Sequence, residues 1–210
     1  MQGIFISLEG PDGSGKSTAA PKIVDALKKQ TNREILLTRE PGGSRISEKI
    51  RKLILDVHNM EMDDRTEALL YAAQRRQHLV DVILPALKAG KIVVSDRYVD
   101  SSVAYQGAGR EIGEQQVWDL NMFAINGILP QITLYFDIDP KIGLNRIANK
   151  RAQPEDRLEK EQIEFHERVH KAYLKLLAKN PDRIKKVNAN QTPDKVVSDS
   201  VKILDDNLSL

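Results

Sequence analysis

The sequence predicts an α/β fold in which five parallel strands form one sheet with helices on both faces. Strand-like and helix-like segments alternate along all 210 residues, which is the order that a parallel sheet requires. Ile92-Val93-Val94 and Ile132-Thr133-Leu134-Tyr135-Phe136 are mostly apolar runs, and such runs are typical of strands that helices cover on both faces. The length suits a single domain over residues 1–210, and the hydrophobic fraction of 40% is enough for a core.

Short apolar runs locate the strands, and apolar residues that recur on one helical face locate the helices. Strands are predicted at Ile4–Glu9, Glu34–Thr38, Lys91–Ser95, Ile132–Asp137 and Ile184–Val187. Helices are predicted at 15–30, 44–56, 65–89, 114–126, 141–150, 160–178 and 193–205. In the first helix, Ala20, Ile23 and Leu27 share one face. Pro21 and Pro85 lie inside predicted helices and should kink or shift them.

The composition argues against several classes of protein. The net charge of +2 is close to balance, which is unusual for a dedicated nucleic-acid-binding domain. The chain has no cysteine, so disulfides and thiolate chemistry are absent. The N-terminus lacks a signal-peptide pattern, and no apolar stretch approaches the roughly 20 residues of a membrane span. We expect a cytoplasmic protein without nucleic-acid or membrane partners.

The segment Gly10–Ser17 carries the first chemical motif. Its letters, G-P-D-G-S-G-K-S, match the phosphate-binding loop G-x-x-x-x-G-K-[S/T]. A predicted strand precedes it and a predicted helix follows, so backbone N–H groups and a helix N-terminus can face phosphate oxygens. Lys16 can then reach the β- and γ-phosphates, and Ser17 can offer a hydroxyl to Mg²⁺. The alternative is a chance glycine turn before a helix.

Charged side chains follow the second and third predicted strands. Thr38-Arg39-Glu40-Pro41-Gly42-Gly43 follows the second strand, and Asp96-Arg97-Tyr98 follows the third. Ligands of open parallel sheets bind beyond the carboxyl ends of the strands. There Asp96 can organise Mg²⁺ and its waters, and Arg97 can bridge the phosphates of two nucleotides. The alternative is a local ion pair that caps a loop.

The set of arginines indicates a second substrate that also carries phosphate. Arg39, Arg51, Arg75 and Arg97 exceed what one nucleotide needs, and guanidinium groups suit bidentate phosphate recognition. A solvated surface position is the alternative, above all for Arg51.

One flank of the helix at 65–89 carries an aromatic ring and a guanidinium one turn apart. Tyr71 and Arg75 are separated by four residues, and His78 follows three residues later, so they share a flank. The ring and the guanidinium can stack on a base and read its edge. A tyrosine that packs on the arginine stem would give the same spacing.

The string His166-Glu167-Arg168-Val169-His170 matches H-E-x-x-H, a motif of zinc proteases. We interpret it as a chance match in a charged helix, because no later histidine exists to serve as a third ligand.

Together these segments resemble the thymidylate kinase (dTMP kinase) family. The resemblance covers essentially the whole chain and rests on five strings: Glu9–Ser17, Thr38–Gly43, Arg65–Ala73, Asp96–Tyr98 and Ser101–Gly107. It implies the three-layer fold of P-loop NTPases, nucleoside monophosphate kinase-like, with a short lid at about 149–157. It also implies that a homodimer transfers the γ-phosphoryl group of ATP to dTMP with Mg²⁺, in dTTP biosynthesis.

The resemblance implies a role for each matching residue. ATP would be bound by Gly10, Pro11, Asp12, Gly13, Ser14, Gly15, Lys16, Ser17, Thr18 and Arg146. The dTMP-binding residues would be Asp12, Arg39, Glu40, Arg51, Tyr71, Arg75, Arg97, Ser102, Tyr105 and Gln106. The catalytic residues would be Lys16, Asp96, Arg97, Arg151 and Arg157, with Ser17 and Asp96 as ligands of Mg²⁺, partly through water.

Within the dTMP set, the resemblance assigns each group to a part of the nucleotide. Asp12 would contact the 3′-hydroxyl, and Tyr105 would crowd the 2′ position and disfavour ribonucleotides. Tyr71 would stack on thymine, whose edge Arg75 and Gln106 would read. Arg39, Arg51 and Arg97 would hold the monophosphate, and on the ATP side Arg146 would lie against adenine.

The variable positions of the phosphate loop carry no arginine, whereas the lid contains Lys150, Arg151 and Arg157. The resemblance therefore implies the bacterial type, whose lid supplies positive charge in the transition state, from either Arg151 or Arg157.

Two alternatives stay open. One is a kinase for another nucleoside or nucleoside monophosphate. The other is a GTP-controlled switch protein, which is less favoured because Asn149-Lys150-Arg151-Ala152 lacks the acid of the guanine-reading N-K-x-D motif.

Overall fold

The sheet consists of parallel strands with the phosphate-binding loop near its centre. The computed structural model describes residues 3–150, 157–158 and 160–208. Within them the strands are β1 (Ile4–Glu9), β2 (Ile35–Arg39), β3 (Ile92–Asp96), β4 (Ile132–Asp137) and β5 (Ile184–Asn188). Their order is β2-β3-β1-β4-β5, and every neighbouring pair is parallel. The predicted five-stranded parallel sheet is confirmed, with each strand boundary within one residue of its expected position.

Helices connect the strands and cover both faces. They are α1 (Lys16–Leu27), α2 (Arg45–Leu55), α3 (Asp64–His78), α4 (Leu84–Lys88), α5 (Val99–Ser102), α6 (Glu114–Ile125), α7 (Pro140–Lys150), α8 (Ile163–Lys179) and α9 (Pro193–Asn207). A π-helical segment, Leu79–Ile83, joins α3 to α4, and a second, Val103–Gly109, continues α5. In the part of the chain that the structure describes, no helix is long and apolar enough to cross a membrane.

The α5 helix and its π-helical continuation were not predicted. Almost every residue from 99 to 109 is buried, so the segment has no polar face and shows no helical periodicity. It also ends in Gly107-Ala108-Gly109, and glycine has low helix propensity. Tertiary packing on α6 and α8 stabilises a helix that the local sequence does not indicate.

Alternation along β1 divides the core into two halves. Successive side chains of a strand point to opposite faces, so Ile6 packs with Leu27 of α1 and Leu204 of α9. Phe5 points the other way and packs with Leu79. The predicted three-layer arrangement is therefore confirmed. Glu9 shares the face of Phe5, which places its carboxyl group beneath the functional site described below.

The two helical prolines behave differently. The α1 helix continues through Pro21, whose side chain is exposed. Pro85 lies in the first turn of α4, just after the π-helical segment, where the N–H of Leu84 donates to the carbonyl of Leu79. At Pro85 the expected shift takes the form of a wider turn, which is one way a helix adapts to a residue that lacks an N–H.

Candidate active site

The main pocket lies beyond the carboxyl ends of β1, β2 and β3 and has a volume of about 370 Å³. It joins the phosphate-binding loop to the region where the resemblance places dTMP. Its lining includes most of the predicted site residues: Asp12, Gly13, Gly15, Lys16, Ser17, Thr18, Arg39, Glu40, Arg51, Tyr71, Asp96, Arg97, Ser102, Tyr105 and Gln106.

A second cavity of about 330 Å³ lies on the other side of the loop. Gly13, Ser14 and Thr18 of the loop line it together with Arg146 of α7. The Arg146 guanidinium donates to the carbonyl of Ala189 at 3.0 Å, which holds it at this wall. The two cavities meet at the loop, so the loop can serve ligands on both sides.

The glycines of the loop allow a path that other residues would not. Gly10, Gly13 and Gly15 all have positive φ angles, of 143°, 74° and 87°. At Gly13 a Cβ atom would lie only 2.0 Å from the carbonyl oxygen of Gly143 in α7. Any side chain at this position would therefore push the loop away from α7.

Lys16 is buried inside the loop. Its Nζ donates to the carbonyls of Gly10 at 2.8 Å and Pro11 at 2.9 Å and to Ser14 Oγ at 3.1 Å. Burial, and then the positive charge of Arg97, lower the pKa of Lys16 to about 8. The amine is still mostly charged at neutral pH and is held where phosphates would lie.

Ser17 and Asp96 meet at the mouth of the loop, where Ser17 Oγ donates to Asp96 Oδ2 at 2.8 Å. Both groups offer hard oxygen atoms of the kind Mg²⁺ prefers, and Mg²⁺ commonly uses one or two protein ligands together with substrate phosphates and water. The pair therefore fits the predicted metal role, although no group of three or more His, Cys, Asp or Glu side chains suited to a metal occurs among the described residues.

Arg97 has an unusual backbone conformation that aims its side chain at the loop. Its φ angle is 73°, which is uncommon for a residue with a side chain. The guanidinium donates to Asp12 Oδ1 at 2.5 Å and to the Tyr105 hydroxyl at 3.2 Å, and it also lies over the Tyr105 ring, 4.8 Å from the centroid. The loop, β3 and the buried π-helical segment thus meet at one guanidinium.

Asp12 is a carboxylate at the pocket wall. Burial alone would raise its pKa, but the positive charges of Arg97 and Lys16 and the hydrogen bond from Tyr105 lower the pKa below its usual value. The Tyr105 hydroxyl donates to Asp12 Oδ2 at 2.7 Å. An ionised Asp12 can accept a hydrogen bond from a substrate hydroxyl.

Glu9 lies beneath Arg97 and is connected to it through the hydroxyl groups of Ser101 and Tyr173. The carboxyl group is fully buried and accepts from Ser101 Oγ at 2.5 Å and from the Tyr173 hydroxyl at 3.0 Å. Arg97 Nη1 in turn lies 3.0 Å from Ser101 Oγ and 3.4 Å from the Tyr173 hydroxyl. Burial, and then the negative charge of Asp100, raise the pKa of Glu9 to about 7.

This raised pKa predicts a pH-dependent stability that Glu9→Gln removes. Between pH 4.5 and about 7, native Glu9 keeps a proton that the unfolded chain releases, so its contribution to the unfolding free energy falls as pH rises. Urea unfolding at pH 5 and pH 8 should therefore show the variant gaining stability relative to the wild type as pH rises. If the unfolding free energies of the variant and the wild type differ by the same amount at both pH values, the prediction is contradicted.

Arg75 lies beneath the pocket and not in its wall. The side chain is buried, and its Nε donates to Glu40 Oε2 at 2.7 Å. Its terminal nitrogens donate to Ser102 Oγ at 2.9 Å, to the carbonyl of Tyr98 at 3.0 Å and to Asn121. Because Glu40 and Ser102 line the pocket, Arg75 positions two lining residues. Its predicted role in reading a base stays a prediction.

Arg75→Ala should lower the unfolding free energy by about 3–5 kcal/mol, because it leaves a buried charge on Glu40 without its main partner. Arg75 and Glu40 are each about 1% exposed at the side chain, so water cannot replace the lost ion pair. Chemical denaturation measures the change, and Arg76→Ala is the matched control. Arg76 is more accessible, and among the described residues its one side-chain hydrogen bond goes to the Ala124 carbonyl. Equal stability of the two variants would refute the prediction.

Arg39 and Arg51 reach the pocket from β2 and α2. Arg39 Nη2 donates to Glu48 Oε1 at 2.9 Å, and Arg51 Nη1 donates to the carbonyl of Pro41 at 2.6 Å. Both line the pocket on the side of Glu40. With Arg97 opposite, they give this end of the pocket the positive charge that a phosphate requires.

The lid lies mostly outside the described residues, and so does Arg151. Arg157 is described and is buried, 2% exposed. Its guanidinium donates to the carbonyl of Ile54 at 3.1 Å and forms an ion pair with Glu67. Arg157 does not line the main pocket, so a contact with phosphate would require it to leave Glu67.

The histidines of the H-E-x-x-H string have separate environments. His170 Nε2 lies 2.8 Å from Asp137 Oδ1. His166 is buried, and its Nε2 has no hydrogen-bond partner in the described part of the chain. Within the described residues the two side chains therefore have different partners, and the interpretation of the string as a chance match stays a prediction.

Several residues of the site were not assigned from the sequence. Glu9 lies beneath Arg97 and is linked to it by the Tyr173 hydroxyl. Asp100, which pairs with Arg183, acts on Glu9 through its negative charge. Glu67 accepts a hydrogen bond from Gln106 at 2.8 Å. An acid at the end of an apolar strand was a usable signal for Glu9. Tyr173 and Glu67 gave no such signal, because tyrosine on an apolar face and glutamate in the first turn of a helix are both common.

Comparison with known proteins agrees with the fold. A family model described as thymidylate kinase matches residues 8–200. Thymidylate kinase of Lactiplantibacillus plantarum is 55% identical over 97% of this chain and 92% of its own length, and that of Enterococcus faecalis is 55% identical over 94% and 93%. The crystal structure of thymidylate kinase from Ehrlichia chaffeensis superposes with a TM-score of 0.79 at 31% identity, covering 98% of this chain and 99% of that one. The chain therefore belongs to the thymidylate kinase family.

Proposed function

We propose that this chain transfers the γ-phosphoryl group of ATP to dTMP, which yields ADP and dTDP. Family membership makes it a nucleoside monophosphate kinase. The observation that supports the choice of substrates best is the pocket of about 370 Å³ that runs from the phosphate-binding loop to three arginines and on to Tyr71 and Gln106. A cavity with phosphate-binding groups at one end and an aromatic ring at the other suits a nucleoside monophosphate.

In the proposed orientation, the phosphate of dTMP lies among Arg39, Arg51 and Arg97. The 3′-hydroxyl donates to Asp12, whose carboxylate is held by Arg97. The ring of Tyr105 lies where a 2′-hydroxyl would project, so it disfavours ribonucleotides. ATP lies across the loop, with adenine in the second cavity beside Arg146.

Thymine occupies the far end of the acceptor pocket. Tyr71 stacks on the base, and Gln106 reads its edge. Arg75 lies beneath this end and positions Glu40 and Ser102 by donating hydrogen bonds to them.

The chemical step needs positioning and neutralisation of charge more than proton transfer. An oxygen of the dTMP phosphate attacks the γ-phosphorus, and the bond to the β,γ-bridging oxygen breaks, so the electron pair leaves with ADP. The attacking oxygen is already ionised at neutral pH, and no general base is required. Lys16 and Arg97 stabilise the charge that develops on the transferred group.

Mg²⁺, held by Ser17 and Asp96 partly through water, would neutralise phosphate charge and orient the β- and γ-phosphates. A second source of positive charge is proposed in the lid, from Arg151 or Arg157. Closure of the lid would exclude water, which would otherwise compete as the acceptor.

An acceptor panel tests the proposal. ADP release from ATP is measured with dTMP, dUMP, dCMP, dAMP, dGMP and thymidine, and kcat/KM is compared. We expect dTMP to be the best acceptor, with dUMP within about 10- to 200-fold, since a missing methyl group changes binding by only about 1–3 kcal/mol. A higher kcat/KM for any other acceptor would overturn the assignment.

We also propose that the enzyme is a homodimer. Exposed apolar side chains support this: Leu53 of α2, Leu69 of α3 and Phe123 of α6 are 47%, 57% and 88% exposed, and α3 packs against both α2 and α6. Sedimentation velocity at micromolar concentration measures the state directly, and a single monomeric species would contradict it. The expected cytoplasmic location stays a prediction.

A further inference from the structure

We propose that Glu67 is a positioning residue for base recognition, because it orients the amide of Gln106 so that the amide oxygen faces the acceptor base. The inference rests on the proposed function, in which Gln106 reads the edge of the base. It adds the group that fixes which atom of Gln106 does the reading.

Glu67 lies in the first turn of α3 and is fully buried behind Gln106, which lines the main pocket. Gln106 Nε2 donates to Glu67 Oε1 at 2.8 Å, and Arg110 Nη2 donates to Oε2 at 3.1 Å. Arg157 forms a second ion pair with Oε2. Glu67 therefore holds one residue of the pocket wall and two arginines.

The two arginines determine what Glu67 can offer to Gln106. As an ion-paired carboxylate, Glu67 only accepts hydrogen bonds. The amide oxygen of Gln106 also only accepts, so turning it toward Glu67 would bring two acceptors together at a buried position. The orientation of a glutamine amide follows from its hydrogen-bond network, and here the network fixes Nε2 on the side of Glu67.

The amide oxygen of Gln106 is consequently the atom left for a ligand. The Gln106 side chain makes no other hydrogen bond within the described ranges, and its oxygen is not among the buried atoms that lack a partner. Since Gln106 lines the main pocket, this oxygen is reached from the pocket.

An acceptor at this position selects among pyrimidines. Thymine and uracil carry an N–H group at N3, which can donate to the Gln106 oxygen. Cytosine carries an unprotonated nitrogen at N3, which would face the same oxygen as a second acceptor and would leave both groups unpaired. Glu67 thereby favours dTMP and dUMP over dCMP, although it touches none of them.

The variant Glu67→Gln tests this role. A neutral amide at position 67 can present either its oxygen or its NH₂ group, so Gln106 loses its fixed orientation. We expect the ratio of kcat/KM for dTMP to that for dCMP to fall by roughly tenfold or more, on the scale of one buried hydrogen bond. The ratio for dTMP to dUMP should not change, because these bases share the N3–H group.

Glu161→Gln is the matched control. Glu161 pairs with Arg110 at 2.5 Å in the same cluster, but it does not contact Gln106, so its variant loses an ion pair and should keep the dTMP to dCMP ratio. If Glu67→Gln does not fold, Glu67→Asp serves instead, since it keeps the charge and withdraws the carboxylate from Gln106. Circular dichroism and thermal unfolding identify which variants fold.

Three outcomes separate this inference from the proposed function. If dTMP is the best acceptor of the wild type and the folded Glu67 variant keeps the full dTMP to dCMP ratio, the role of Glu67 is refuted. An equal change in the Glu161 variant also refutes it, because the effect would then come from the charge cluster as a whole. If dTMP is not the best acceptor of the wild type, the proposed function itself fails.

Discussion

Lys16→Ala should lower kcat by about 10²–10³-fold, the usual effect of removing one positioned group that stabilises charge in a transition state. Lys16 is buried at 5% exposure, and its ammonium lies within 3.1 Å of two loop carbonyls and a hydroxyl. The loop thus holds the charge in place before any phosphate arrives, so little reorganisation is needed during the reaction. Steady-state kinetics with saturating ATP and dTMP measure the effect.

The control for Lys16 is Lys22→Ala on the same helix. Lys22 forms an exposed ion pair with Asp194, and such pairs contribute little to stability. Both variants should give the wild-type circular dichroism spectrum, while only Lys16→Ala loses turnover. Wild-type kcat in a folded Lys16→Ala protein would refute the role assigned to this residue.

Arg97→Lys should lower kcat/KM for dTMP by on the order of 10²-fold or more, even though the charge is kept. A lysine offers a point charge on a flexible stem and cannot reproduce a planar guanidinium that binds several partners at once. Arg97 donates to Asp12, Ser101 and Tyr105, so the substitution also releases groups that meet the sugar in the proposed orientation. The affinity for ATP, measured by calorimetry, should change much less.

Arg33→Lys is the matched control for Arg97→Lys. Arg33 donates to the carbonyl of Gly90, in the loop that leads into β3, at the amino end of the sheet and away from the site. It should leave kcat/KM within about twofold, as surface substitutions away from special features usually have small effects. If Arg97→Lys behaves like this control, Arg97 does not hold the acceptor phosphate.

Much of the fold could be predicted because it depends on local pattern. The apolar runs of β3 and β4 and the glycines of the phosphate-binding loop are short-range signals, and each lies where the structure has it. The helix from Val99 into the π-helical segment escaped prediction, since its residues are buried on every side and show no periodicity. Its conformation is set by packing partners far away in the sequence.

The sequence predicted which residues belong to the site, but not which of them line the pocket and which lie beneath it. Spacing correctly placed Tyr71 and Arg75 on one helix flank, yet Tyr71 lines the pocket and Arg75 lies below it. Helical spacing defines an angle around the axis and says nothing about which neighbours fill the space in front of a side chain. The roles of Glu9 and Glu67 were missed for the same reason, since their partners come from distant parts of the chain.

The buried segment that begins at Arg97 has a consequence for substrate size. In the proposed orientation, Arg97 meets the phosphate, Tyr105 the sugar and Gln106 the base. One short stretch of backbone therefore sets the spacing of the contacts along the whole nucleotide. An insertion or deletion within this stretch would change the positions of these side chains relative to one another. New acceptor preferences in this fold should therefore arise through single substitutions within this stretch and not through changes in its length.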